Sequence, residues 1–181
     1  MSLGYKNFKV LISHAHFDHI GSISDFSPEE IIINQKILHN LQNPKCWALE
    51  YLQPKDFQNY DLYQKTKIKL KNTLNFIAQL TPYNSKKIKI GNANLEIIET
   101  PGHTDDSIIV NDKTNKIIIT GDSLYFGQIY LNCVNSNVKK IKQTLQKIKK
   151  LDPDLILPGH NEIIIKNEVS LAIQTWIDKI E

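Results

Sequence analysis

The sequence predicts an α/β (α+β) layered protein, on three observations. Short β-branched runs alternate with amphipathic helical stretches along the chain. Gly, Asn and Asp turn signals separate the runs of the second half. The clearest helical stripe, Ile141, Leu145, Ile148 and Leu151, falls between two such runs. At 181 residues the chain suits one domain, 1–181, long enough for a real core.

Phe8 to Ile12 (FKVLI) reads as a buried strand running straight into a histidine cluster. Ile20 to Phe26 reads as a short helical turn, stopped before Ser27-Pro28. Glu30 to Ile33 is a short strand, and Gln35 to Leu41 a helix ended by Asn43-Pro44. From 45 to 82 the chain is polar and aromatic, with Leu70, Leu74, Ile77 and Leu80 at helical spacing. This stretch is expected to be a helical excursion, either a lid that selects substrate or a packing element of the core.

Lys87 to Ile90, Gly91-Asn92 and Leu95 to Glu99 spell a β-hairpin. Ser107 to Val110 and Ile117 to Thr120 flank a second connection of the same kind. Asn135 to Leu151 is a helix that Asn135 or Ser136 can cap. Leu155 to Leu157 is a strand, and Asn167 to Ile180 a closing helix.

Composition narrows the functional classes. With 41% hydrophobic and 23% charged residues, the chain reads as a soluble globular protein. No apolar run approaches the roughly 20 residues of a membrane span, and the first residues lack a secretory pattern. Cys46 and Cys133 form no CxxC spacing, so a reducing cytoplasm is the expected setting. The net charge of +3 is too small to argue for nucleic acid, which is not an expected partner. Every basic side chain is Lys, so bidentate arginine clamps are excluded. The lysines at 139, 140, 142, 147, 149 and 150 read as the solvated face of an amphipathic helix.

Five of the six histidines lie in four short segments. These are His14-Ala15-His16-Phe17-Asp18-His19, Gly102-His103, Gly121-Asp122 and Gly159-His160. Imidazole and carboxylate are the usual ligands of zinc and neighbouring divalent metals. In an extended segment His14, His16 and Asp18 share a side while His19 points elsewhere, so one stretch can address two ions. His103 and His160 can supply further ligands, and Asp122 can bridge through its two oxygens. The glycines before His103, Asp122 and His160 permit tight turns that aim a short ligand. Ser13, Thr104, Asp105 and Asp106 are candidates to take the second N–H of a ligating imidazole. His39, in a helix with no partner motif, reads as structural.

In that order the four motifs resemble the metallo-β-lactamase superfamily, from the strand before His14 to the region after His160. The resemblance implies an αββα sandwich with two metal ions at one edge, zinc foremost and iron or manganese as alternatives. It implies that His14, His16 and His103 hold one ion and Asp18, His19 and His160 the other, with Asp122 bridging. Asp122 stands where zinc β-lactamases commonly carry Cys, which makes the chain similar to the glyoxalase II and lactonase branches. Tyr125, three positions after Asp122, resembles a tyrosine that polarises the substrate carbonyl in acyl-homoserine lactonases. Packing is the competing role for Tyr125. Fewer residues precede His14 than in the family, so the first sheet is expected to be incomplete. Its apolar edge is then expected to be covered by a second copy, or the protein to be poorly stable alone.

The expected activity is hydrolysis of an ester, thioester or lactone in a small-molecule substrate by a metal-bridging hydroxide. Asp18 would orient the nucleophile or carry its proton. Two rivals stand beside it: a phosphodiesterase of the nuclease kind, and an inactive metal-binding domain.

Overall fold

The structure, a computed structural model, describes residues 8–21, 30–77, 82–83, 85–128 and 130–180. Its contacts gather into two compact units, Met1–Asn84 and Ser85–Glu181.

In the first unit, β1 (Lys9–Leu11) and β2 (Glu30–Ile32) pair in parallel, Val10 against Ile31. The Ile12 amide adds a further bond to the Ile32 carbonyl at 3.2 Å. Parallel pairing places the C-terminal ends of both strands on the same side. The chain leaves β1 through the histidine cluster into the short helix α1 (Phe17–Ile20). Of the turn expected over Ile20–Phe26, the part from Ser22 lies outside the described residues.

Helix α2 (Gln35–Leu41) starts where the Asn34 carboxamide accepts from the Ile37 amide at 2.7 Å, and buries Ile37, Leu38 and Leu41. The excursion that follows contains 3-10 turns at Pro44–Trp47, Leu49–Tyr51 and Pro54–Asp56, then the long helix α3 (Tyr60–Ile77). Trp47 is anchored by donating its indole N–H to the Asn40 carbonyl at 3.2 Å. From the expected stripe, Leu70 is buried and Leu80 lies outside the described residues. Thr73 of α3 donates to the Gly21 carbonyl at 3.4 Å, which ties α3 to the end of α1.

The second unit is a six-stranded sheet in sequential order: β3 (Lys87–Ile90), β4 (Ala93–Glu99), β5 (Ile108–Asp112), β6 (Ile117–Gly121), β7 (Leu155–Pro158) and β8 (Ile164–Ile165). Only the β6–β7 pair is parallel. Its crossover carries helix α4 (Val138–Lys150), as a parallel connection requires. Helix α5 (Val169–Ile180) closes the unit after a 3-10 turn at Lys166–Glu168. Ile109, Ile118 and Ile156 of the sheet pack with Ile141, Leu145 and Ile148 of α4 and with Ile173 and Trp176 of α5. The lysines of α4 lie on the opposite, outward side, as amphipathic spacing dictates.

The α4 cap corrects the sequence expectation. Asn137 fills it, accepting from the Lys140 amide at 3.0 Å. Asn135 and Ser136 are engaged elsewhere: the Asn135 amide donates to Asp105 at 3.0 Å and the Ser136 hydroxyl to the His103 carbonyl at 2.6 Å. Among the described residues no helix is long and apolar enough to cross a membrane.

Candidate metal centre

In the first unit, one stretch of chain brings four donor residues together. The His14 ring centroid lies 4.6 Å from that of His16 and 4.2 Å from that of His19. His14 and His16 are buried, His19 is partly exposed and Asp18 is exposed. The extended alternation expected through Asp18 stops at His16, the last residue with β geometry (φ −73°, ψ 149°). The His19 amide bonds the His16 carbonyl at 3.1 Å, so Asp18 and His19 sit on a helical turn. Turning the chain there brings the His19 ring back against His14 instead of alternating away from it.

Ser13 explains how these rings are oriented. Its hydroxyl lies 3.0 Å from His14 Nδ1 and 3.5 Å from His19 Nδ1. A hydroxyl has two acceptor lone pairs, so it can take an N–H from each ring. With Nδ1 of each ring engaged by Ser13, Nε2 is the nitrogen each has to offer as a ligand atom. Asp18 Oδ2 lies 3.7 Å from His19 Nε2.

In the second unit, topology places three donors on one edge of the sheet. Strands β4 and β6 both run antiparallel to β5, and β7 runs parallel to β6. Their C-terminal ends therefore point the same way, and His103, Asp122 and His160 each follow one of those ends. Asp122 Oδ2 is 3.4 Å from His103 Nε2 and 3.2 Å from His160 Nε2. His103 and Asp122 are buried, and His160 is partly exposed.

Backbone contacts set this arrangement. Gly102 has φ +150°, and a Cβ there would come within 2.5 Å of the Ile141 backbone. Glycine therefore lets the His103 turn pass directly against α4, where the Asn137 amide donates to the Gly102 carbonyl at 2.8 Å. Near Asp122, the Thr100 and Ser123 hydroxyls bond at 2.9 Å, and the Gly159 amide donates to the Gly121 carbonyl at 2.9 Å.

The His103 ring donates Nδ1–H to the Tyr130 carbonyl at 2.9 Å, since a carbonyl can only accept. The His103 Nδ1–H thus goes to a main-chain carbonyl, while Thr104 and Asp105, two of the sequence candidates, make other bonds. The Thr104 hydroxyl bonds Ser107 at 2.6 Å, and Asp105 accepts from Asn135. A main-chain carbonyl from a distant loop leaves no side-chain signature to read. With Nδ1 protonated, a neutral His103 turns the Nε2 lone pair toward the Asp122 carboxylate. Two acceptors hold that approach when a cation or a proton lies between them. Two imidazole nitrogens around one carboxylate oxygen form a donor set suited to a divalent metal.

Tyr125 belongs to the core of the unit. It is buried, packs edge-on against Trp176 with ring centroids 5.1 Å apart, and meets the His160 ring at 5.6 Å. His39 is exposed on α2 and is not among the clustered donors of the described residues.

This order of donors after strand ends agrees with a family profile described as the metallo-beta-lactamase superfamily, matched over residues 9–160. The chain belongs to that superfamily. The superfamily relatives include the Bacillus subtilis protein named "Probable metallo-hydrolase YqgX", 26% identical over 87% of this chain and 70% of its own length. The acyl-coenzyme A thioesterase MBLAC2 of Gallus gallus is 29% identical over 51% of this chain and 35% of its own. The curated relatives are matched over 35% to 70% of their lengths. Among solved structures, the crystal structure of the BLEG-1 B3 metallo-beta-lactamase superposes with a TM-score of 0.65. At 22% identity, with 90% of this chain and 74% of that one covered, it shows the shared α/β sandwich fold.

Proposed function

We propose that the protein is a binuclear metal-dependent hydrolase of thioesters, with oxygen esters and lactones as related substrates. The observation that carries this reading is the Asp122 carboxylate held between the Nε2 atoms of His103 and His160. Superfamily membership supports reading these three donors together with His14, His16, Asp18 and His19 as one ligand set. In this reading His14, His16 and His103 hold one ion, Asp18, His19 and His160 the other, and Asp122 serves both. Nitrogen and oxygen donors accept zinc, iron or manganese, and zinc is the first candidate.

When bound, the ions polarise the scissile carbonyl and bring the pKa of water toward neutrality. The chain's own residues do the rest. Ser13 and the Tyr130 carbonyl fix the ring orientation of three histidines. Asp18, exposed beside them, is the group that orients the attacking water and takes its proton. Tyr125, whose ring meets that of His160, is the candidate to orient the substrate carbonyl, and packing against Trp176 is the competing role. The excursion after α2 would be the lid that selects the acyl group, with core packing as the alternative role.

Thioesters are preferred for two reasons. A matched relative is named an acyl-coenzyme A thioesterase, and Asp122 resembles the glyoxalase II and lactonase branches. The protein would work in the cytoplasm on a small molecule, as a homodimer. A panel of thioester, nitrophenyl ester, lactone and bis-nitrophenyl phosphate tests the reading. Thioester turnover that EDTA abolishes and metal restores is expected. Turnover of the phosphodiester alone would replace this function with the nuclease kind, and no turnover of any by metal-loaded protein would favour an inactive binding domain.

A further inference from the structure

The segment after Asp122 is held by three side chains on three consecutive carbonyls. Trp176 donates its indole N–H to the Tyr125 carbonyl at 2.6 Å. The Asn161 amide donates to the Phe126 carbonyl, and the Lys179 ammonium to the Gly127 carbonyl at 2.7 Å. Two of these donors come from α5, while the third directly follows His160 in the chain.

Asn161 also has an unusual backbone. Its φ is +62°, the left-handed region in which Asn is among the few tolerated side chains. The turn around His160 is thus fixed on both sides. Before it, the Gly159 amide bonds the Gly121 carbonyl; after it, Asn161 bonds the segment that carries Asp122 and Tyr125. The His160 side chain is 41% exposed, so packing alone confines it less than it confines buried His103.

We infer that Asn161 is a positioning residue: its amide clamps the His160 turn to the 125–127 segment and holds His160 Nε2 against Asp122. The inference rests on the metal reading above. Groups bonded directly to a ligating side chain are worth about 10–100-fold in metal affinity, and Asn161 acts one step further out, through the backbone. Asn161 sits at the lower end because its bond is exposed to water.

The test is a Co²⁺ titration of wild type, Asn161→Gly and Asn161→Asp, followed by visible absorption. Glycine keeps the left-handed backbone without the amide. Aspartate keeps that backbone and the shape, but its carboxylate cannot donate to a carbonyl. Circular dichroism checks that both variants fold. Expected is about tenfold weaker binding of one Co²⁺ equivalent in both variants, with an altered spectrum and the other equivalent unchanged. Variants that bind both equivalents with wild-type affinity and spectrum, even with a lowered Tm, would reduce Asn161 to a structural role and overturn the inference. Wild-type protein that takes up no Co²⁺ would instead overturn the metal reading beneath it.

Discussion

The Trp176 indole N–H donates to the Tyr125 carbonyl at 2.6 Å while the two rings pack edge to face, 5.1 Å apart. One fully buried side chain of α5 thereby holds both the backbone and the ring of a residue three positions after Asp122. Trp176→Ala should cost about 3–5 kcal/mol, from lost burial and an open cavity. Trp176→Phe should cost less, about 1–3 kcal/mol, chiefly the buried carbonyl left without its donor. Urea unfolding of the two variants checks the order. Equal losses would show that the hydrogen bond, which both variants lack, and not ring volume, matters there.

Gly102 and Gly91 offer a controlled contrast. Both have positive φ, but a Cβ on Gly102 meets the Ile141 backbone at 2.5 Å, whereas a Cβ on Gly91 meets nothing within 4 Å. Gly102→Ala should force α4 away from the His103 turn and cost about 3 kcal/mol or more. Gly91→Ala should cost only the backbone penalty, about 1–2 kcal/mol. Thermal melts of the pair read the difference directly.

The local elements were largely legible in the sequence, and the long-range ones were not. The 87–99 hairpin and the 35–41 helix declare themselves through turn residues, caps and periodicity within a short window. The Gly–ligand motifs were legible too, because tight turns after apolar runs have few sequence solutions. Strand β8 escaped because it is two residues long, Ile164–Ile165, too short for any periodic signal. The helical form of the turn at Asp18–His19 left no signature, because HxHxDH satisfies a strand's alternation equally well. The Tyr130 carbonyl that orients His103 is 27 residues away and belongs to the main chain, so residue identity says nothing of it.

Ser13 should matter to metal affinity more than to folding. Its hydroxyl is shared by His14 and His19 at 3.0 and 3.5 Å. Ser13→Ala should weaken metal binding by about 10–100-fold while leaving the melting temperature of the metal-free protein nearly unchanged. Competition with a chromophoric zinc chelator measures this. Unchanged affinity would mean the rings are set by packing alone.

The surface pair Asp154–Lys166 predicts a pH dependence with a definite sign. Lys166 donates to Asp154 Oδ1 at 2.6 Å. That hydrogen bond, helped by the charges of Lys116 and Lys166, holds the Asp154 carboxyl below the usual carboxylate range. The same bond lifts Lys166 above the usual lysine range. A lowered carboxylate pKa gives stability that is present above the unfolded value and lost as pH falls through the folded one. A raised lysine pKa gives stability that is present below the unfolded value and lost as pH rises through the folded one. Asp154→Asn should therefore lower Tm at neutral pH and converge with wild type in strong acid and strong base. Both groups are exposed, so high salt should shrink the difference.

The central claim is that His14, His16, Asp18, His19, His103, Asp122 and His160 together ligate two metal ions. Anomalous diffraction at the zinc edge, on crystals grown with zinc, tests it most directly. Two adjacent peaks per chain are expected, with Asp122 on both and three of the remaining six donors on each. A single peak, or zinc bound elsewhere while these seven side chains remain apart, would contradict it.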